Sequence, residues 1–327
     1  MECLALQVVL LAGAGGVWAA TKQNDSLEAG RRAYEKSEYT EAVGKLQTAA
    51  ASEPQSGEIQ LLLTKSFLEL GERDAAIASA EKAVGIDPQN SVYHEWLGRA
   101  YGEKADHSSM FSAMGFARKT HKEFETAVQL DDRNYAARQA LIEYYCSAPG
   151  LVGGGEEKAK PEIEKLESMD ASEWHYAKGN CRRQKKDLTE ADAEFQKALA
   201  SHPKSADLIY DIGDYAARRG EAKQLIEVAE LGESAAPSDS RGEFYRAVGL
   251  ILEKENLPKA ERLLREYLRK APKRNGYPRQ ATAHEWLGRL FESRGEKESA
   301  EKEYQAALQL NAKDKNARDS LRRLRKN

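Results

Sequence analysis

Six histidines and three cysteines are the side chains best suited to hold a metal or attack a substrate in this 327-residue sequence. The histidines stand at 94, 107, 121, 175, 202 and 284, dispersed along the chain. No His-Glu-x-x-His, Gly-x-Ser-x-Gly or Cys-x-x-Cys run occurs, so the zinc pair of a metalloprotease helix, the hydrolase nucleophile turn and the redox dithiol are all missing. Cys146 and Cys181 have no His or second Cys at ligand spacing, and no metal is expected. In an oxidising compartment the two could form a disulfide; otherwise they serve as small buried hydrophobes. The run Cys146-Ser147-Ala148-Pro149-Gly150-Leu151-Val152-Gly153-Gly154-Gly155 is glycine-rich like a phosphate loop, but it lacks a Gly-Lys-Ser/Thr end and a preceding strand. It reads as a fixed inter-helix loop in which Leu151 and Val152 tuck in and the glycines take positive φ. No catalytic residues, no cofactor and no enzyme activity are expected.

The elements that carry these residues are helical. Apolar residues make up 41% of the chain, charged ones 31% and aromatic ones 8%, a mixture rich in the unbranched side chains that lose little freedom in a helix. Fifty basic against 53 acidic residues leave a net charge of −3, which carries no nucleic-acid signature. The basic tail Arg322-Arg323-Leu324-Arg325-Lys326 complements the dipole at a helix C-terminus, or offers a patch to an anionic partner.

Residues 4 to 20 are apolar apart from Gln7 and end in Val17-Trp18-Ala19-Ala20. Small residues before the polar sequence at Thr21 predict a signal peptide over 1–20, cleaved after Ala19 or Ala20, and a periplasmic or secreted location. Glu2, with no Lys or Arg beside it, departs from the usual basic start. Nothing after residue 20 is long and apolar enough for stable membrane insertion.

Periodicity organises residues 21–327. His94-Glu95-Trp96-Leu97-Gly98-Arg99 recurs letter for letter at 284–289, and Glu173-Trp174-His175-Tyr176-Ala177-Lys178-Gly179 is a looser copy. Pro54 and Pro88 lie 34 residues apart, as do Pro203 and Pro237. A small residue followed by a large one four positions on recurs at Ala42/Leu46, Ala191/Phe195, Ala260/Leu264 and Ala300/Tyr304. Glycines 98 and 288 would let two helices approach closely.

Leu97-Gly98-Arg99-Ala100-Tyr101 and Leu287-Gly288-Arg289-Leu290-Phe291, with the stretch from Ala191 to Pro203, resemble the two halves of the tetratricopeptide repeat. In that family the Trp stands three before the Leu, whereas Trp96 and Trp286 directly precede it, and Asp132 and Ala312 replace the closing Pro. The resemblance implies an all-α fold, a right-handed superhelical solenoid of antiparallel helix pairs. About eight repeats are expected, near 23–56, 57–90, 91–134, 135–172, 173–205, 206–239, 240–275 and 281–314, with a capping helix at roughly 316–326. Insertions fall near 103–113, 146–156 and 273–280. The loop Pro149-Gly150-x-x-Gly153-Gly154-Gly155 is similar to one in secreted bacterial members.

The resemblance further implies a concave groove lined by the first helix of each repeat. Carried over, its residues are Glu95, Arg99, Tyr176, Asn180, Arg183, Tyr210, Asp214, Glu285 and Arg289, a mixed polar face for a peptide or protein segment. Glu95/Arg99 and Glu285/Arg289, at i,i+4, could equally brace their own helices. In the third repeat Met110, Phe111 and Met114, behind a Ser108 or Ser109 N-cap, either extend the core or offer a soft apolar surface. The expected function is a non-catalytic protein-binding scaffold in the cell envelope. Alternatives are an accessory of polysaccharide secretion or binding and an enzyme sited at the glycine-rich loop.

Overall fold

Residues that alternate small and large at helical spacing leave a chain little choice but helices packed in pairs, and seventeen α-helices occur among the described residues. The computed structural model describes residues 14–326, with side chains from Asp25 to Arg325. Residues 1–13 of the expected leader lie outside the described residues, and at the expected cleavage site, Ala19 or Ala20, only the helical backbone is described.

The chain divides into two compact units. The first holds α1 (Ala14–Glu35), α2 (Tyr39–Ser52), α3 (Gly57–Leu70), α4 (Arg73–Ile86), α5 (Ser91–Asp106) and α6 (Met110–Leu130). The second holds α7 (Tyr135–Ser147), α8 (Glu156–Met169), α9 (Ala171–Gln184), α10 (Leu188–Ala200), α11 (Ala206–Arg219), α12 (Ala222–Ala235), α13 (Arg241–Glu253), α14 (Leu257–Lys270), α15 (Gln280–Ser293), α16 (Lys297–Leu310) and α17 (Lys315–Lys326). In both, each odd helix packs on the even one after it, and first helices of successive pairs touch, as α3 does α5 and α7 does α9. That is the stacking of a solenoid, in which each repeat completes its neighbour's core. Eight pairs and a closing helix are present among the described residues, and α17 buries Ala317, Leu321 and Leu324 in the core of the second unit.

The small and large residues interlock as their spacing predicts. Ala42, Leu46, Ala191, Phe195, Ala260, Leu264, Ala300 and Tyr304 are all fully buried. A Cβ on Gly179 would stand 2.6 Å from the Phe195 ring, and one on Gly288 would stand 2.5 Å from Tyr304. Gly98 faces Phe124 in the same way at 2.6 Å, its partner displaced ten residues further along by the longer α5 and α6. Side-chain caps start many of the helices: Asn90 accepts from Val92 and Tyr93, and Asp170 from Ser172 and Glu173.

Three local expectations are refined by the structure. Ser109 occupies the N-cap position of α6, but its side chain makes no capping bond. Met110 and Phe111 are 75% and 82% exposed, so they do not extend the core, because α5 ends before it can cover them. In the glycine-rich loop Val152 is buried, but Leu151 is 71% exposed. The loop is held by Tyr144 donating to the Val152 carbonyl at 2.7 Å and by the Gly155 N–H donating to Tyr145 at 2.8 Å. Gly153 and Gly155 sit at φ 104° and 143°, where a Cβ is strained.

Candidate functional site

On α9, Glu173, Tyr176, Asn180 and Arg183 are spaced three or four apart and share one face. On α11, Asp207, Asp211 and Asp214 do the same. The stacking sets these faces side by side, and polar side chains tie each repeat to the next. The Tyr176 hydroxyl donates to Asp211 Oδ2 at 2.9 Å, and Arg183 Nη1 to the same oxygen at 3.1 Å. Tyr245 of α13 donates to Asp214 Oδ1 at 2.8 Å. Gln139 of α7 donates through Nε2 to the backbone carbonyl and to Oε2 of Glu173, both at 2.8 Å.

The hub of this network is Arg241. Its guanidinium donates to Asp207 at 2.8 Å, to Asp239 at 2.7 Å and to the Gly276 carbonyl at 3.1 Å. It lies between the rings of Tyr210 and Tyr277, 4.4 and 4.6 Å from their centroids. Burial alone would lower its pKa, but Asp239 and Asp207 outweigh that and hold the charge more firmly than usual. A buried cation is tolerable here because every side of it is paired.

Burial works the other way on the carboxyls. It pushes Glu173 up to about 7, against the bond from Gln139, and raises Asp214 despite the bond from Tyr245. Tyr176 and Tyr245 are also raised well above the ordinary value, first by burial and then by the charges of Asp211 and Asp214.

The nine residues expected in a groove therefore separate into classes. Arg183 and Tyr176 are half-buried on the α9 face and tied to Asp211. Asn180 is buried beside them, and its Oδ1 meets no donor among the described residues. Asp214 is engaged by Tyr245. Tyr210, 1% exposed, lines no surface: its ring stacks on Tyr245 at 5.6 Å. Glu95 and Glu285 are buried too, each receiving its own helix's arginine, at 2.9 Å from Arg99 and 2.5 Å from Arg289. The helix-bracing geometry thus holds at both copies of the hexapeptide, and the arginines remain partly open, lying over Trp96 and Trp286. Cys146 and Cys181 are joined by a disulfide that bridges α7 and α9, with Cα atoms 5.4 Å apart.

Sequence reasoning did not find Gln139, Glu173, Asp207, Asp211 and Arg241. A signal was present: Gln139 to Glu173 and Asp207 to Arg241 are 34 residues apart, and Tyr176 to Asp211 is 35, which is the repeat length. Complementary polar residues one repeat apart predict such ties. The histidines follow another rule. His94, His175 and His284 each meet a glutamate of the paired second helix, Glu123, Glu194 and Glu303, at 2.6–2.7 Å through Nδ1. They fasten helix pairs and form no common centre, and no cluster of three metal-ligating side chains occurs among the described residues.

Comparison with known proteins bears on the repeat fold. A tetratricopeptide-repeat family model matches residues 27–91 and 250–315. Among solved structures, the chain is similar to one in the APC/C hetero-tetramer Cut9–Hcn1. That match covers 95% of this chain and 57% of the other at 13% identity, with a TM-score of 0.50. A thermophilic tetratricopeptide protein of Thermus thermophilus matches over 57% of this chain and 94% of its own at 23% identity and a TM-score of 0.46. One from Parabacteroides merdae matches over 94% and 100% at 14% identity and a TM-score of 0.41. Comparison with curated protein sequences returns no match.

Proposed function

We propose that this chain, a tetratricopeptide-repeat solenoid, is a non-catalytic scaffold that holds a peptide or protein segment on the α9–α11–α13 face of its second unit. The observation that carries this reading is a polar row fixed from behind yet open in front. Asp207 is 89% exposed although Arg241 holds it, and Asp211 and Arg183 reach solvent while tied to each other and to Tyr176. Side chains already immobilised lose little entropy on binding, so such a row binds a polar segment at reduced cost.

Two features support a location in the cell envelope or outside the cell: the apolar stretch at residues 4–20 and the Cys146–Cys181 disulfide. No described helix is long and apolar enough to cross a membrane. The saccharide alternative loses support because Tyr210 and Tyr245 have their faces packed inside. The enzyme alternative gains none. A hollow of about 380 Å³ is lined by Gly71–Ala75, Lys104 and His107, none of them from the Gly153 loop.

The test is affinity capture by the tagged chain from the envelope fraction of a native-type host. It is repeated with Asp207→Asn and Asp211→Asn combined, which keeps shape and leaves Arg241 on Asp239. A protein captured by the wild type and lost by the variant supports the reading. A partner retained by the variant, with its fold intact, refutes this face as the binding surface.

A further inference from the structure

The first two turns of α6 have no counterpart in the other repeats. The other second helices run 13 or 14 residues, whereas α6 runs 21. Its start carries Met110 and Phe111, the two most exposed large apolar side chains described. At 100° per residue, Phe111, Arg118 and Lys122 fall within about 40° of one another. Gly115, between them, adds no side chain and faces open space. One stripe of the helix thus runs from an apolar tip to two cations.

Those cations, Arg118 and Lys122, are exposed and form no ion pair among the described residues. Standing at i,i+4 they repel each other, a spacing that weakens a helix. The nearest acidic residues of α6 are engaged elsewhere, Glu123 by His94 at 2.6 Å and Glu125 by His121 at 3.1 Å. Lys119, beside them, lies over the rings of Tyr101 and Phe116, 4.8 and 5.8 Å from their centroids. The complement of this stripe is apolar at one end and anionic further along.

Distance and shape select the partner. With a rise of about 1.5 Å per residue, Arg118 stands roughly 10 Å and Lys122 roughly 16 Å behind Phe111. Interfacial segments bury apolar groups about 5–10 Å deep, and the long arms of Arg and Lys reach for phosphates from there. The apolar side chains also stand exposed at a helix end, 75% and 82% for Met110 and Phe111, whereas peptides seat in grooves or along sheet edges. We propose that the α5–α6 hairpin is a peripheral contact for an anionic lipid bilayer, with Met110 and Phe111 entering the interface and Arg118 and Lys122 meeting the phosphates.

Co-sedimentation of the full chain with vesicles tests this. Vesicles of phosphatidylglycerol and phosphatidylcholine in equal parts are compared with pure phosphatidylcholine. Because all variants share residues 1–20, differences among them report α6. Two juxtamembrane cations are worth about thirtyfold in partitioning onto an anionic surface, so Arg118→Glu/Lys122→Glu should weaken binding at least that much. Met110→Ser/Phe111→Ser should weaken it about tenfold or more. Both should leave the far-ultraviolet circular dichroism unchanged, since the residues are exposed. Equal binding by wild type and both variants, or no wild-type preference for the anionic vesicles, overturns the proposal. Loss of a protein partner with unchanged vesicle binding also overturns it and assigns the tip to that protein.

Discussion

Replacing Glu173 by Gln should stabilise the chain at alkaline pH and leave it nearly unchanged at acid pH. The carboxyl sits buried at the start of α9, accepts from Gln139 Nε2, and titrates at about 7 instead of 4.5 because burial disfavours its charged form. The folded chain therefore holds this proton more tightly than the unfolded chain. Between pH 4.5 and 7 the folded state binds more protons, so stability falls as pH rises through that window and is level above it. Carrying the charge at pH 8 costs at most about 3 kcal/mol. Gln keeps the shape and an oxygen for Gln139 without the charge. Urea unfolding of both chains at pH 5 and pH 8, followed by the fluorescence of neighbouring Trp174 in a background lacking the other tryptophans, measures the difference locally. This local probe matters because repeats unfold with their neighbours before the whole array does. The expected gain at pH 8 is about 1–3 kcal/mol, the full penalty less relaxation. A gain of the same size at both pH values, or a loss at pH 8, would refute the reasoning.

Gly179→Ala places a methyl 2.6 Å from the Phe195 ring, and overpacking of this kind should lower stability by about 1–3 kcal/mol in a urea titration. Glu194 responds to acid. Burial would raise its pKa, but hydrogen bonds from His175, Lys197 and Lys178 prevail and hold it at about 2. Its stabilisation is present above the unfolded value and lost as pH falls from 4.5 toward 2, so Glu194→Gln should flatten the acid limb of a thermal-melting profile. Reducing the Cys146–Cys181 bond, which closes a 35-residue separation, should lower stability by about 3–4 kcal/mol on the chain-entropy estimate. Unchanged melting after complete reduction, verified by thiol titration, would contradict that figure.

The fold was legible because a repeat states its own packing rule many times over. The glycine at 98 and 288, the Ala–large pairs and the 34-residue proline spacing each recur, and each recurrence constrains the same helix pair. Position along a helix also placed Tyr176, Asn180 and Arg183 on one face. Accessibility was harder to see. Tyr176 and Tyr210 stand 34 residues apart on α9 and α11, but Tyr176 is half-buried whereas Tyr210 is covered by Arg241 from the next repeat. What covers a residue depends on the neighbouring repeat, so reading one repeat at a time could not show it. The exposure of Met110 and Phe111 was one of two readings left open for a related reason, since their spacing suits a core face as well as a surface one, and where α5 ends decides between them.

Hydrogen–deuterium exchange of the chain with its captured partner tests the central claim most directly. The account predicts slowed exchange concentrated in α9, α11 and the start of α13. Protection confined to α10, α12 and α14, with α9 and α11 exchanging as in the free chain, would contradict it.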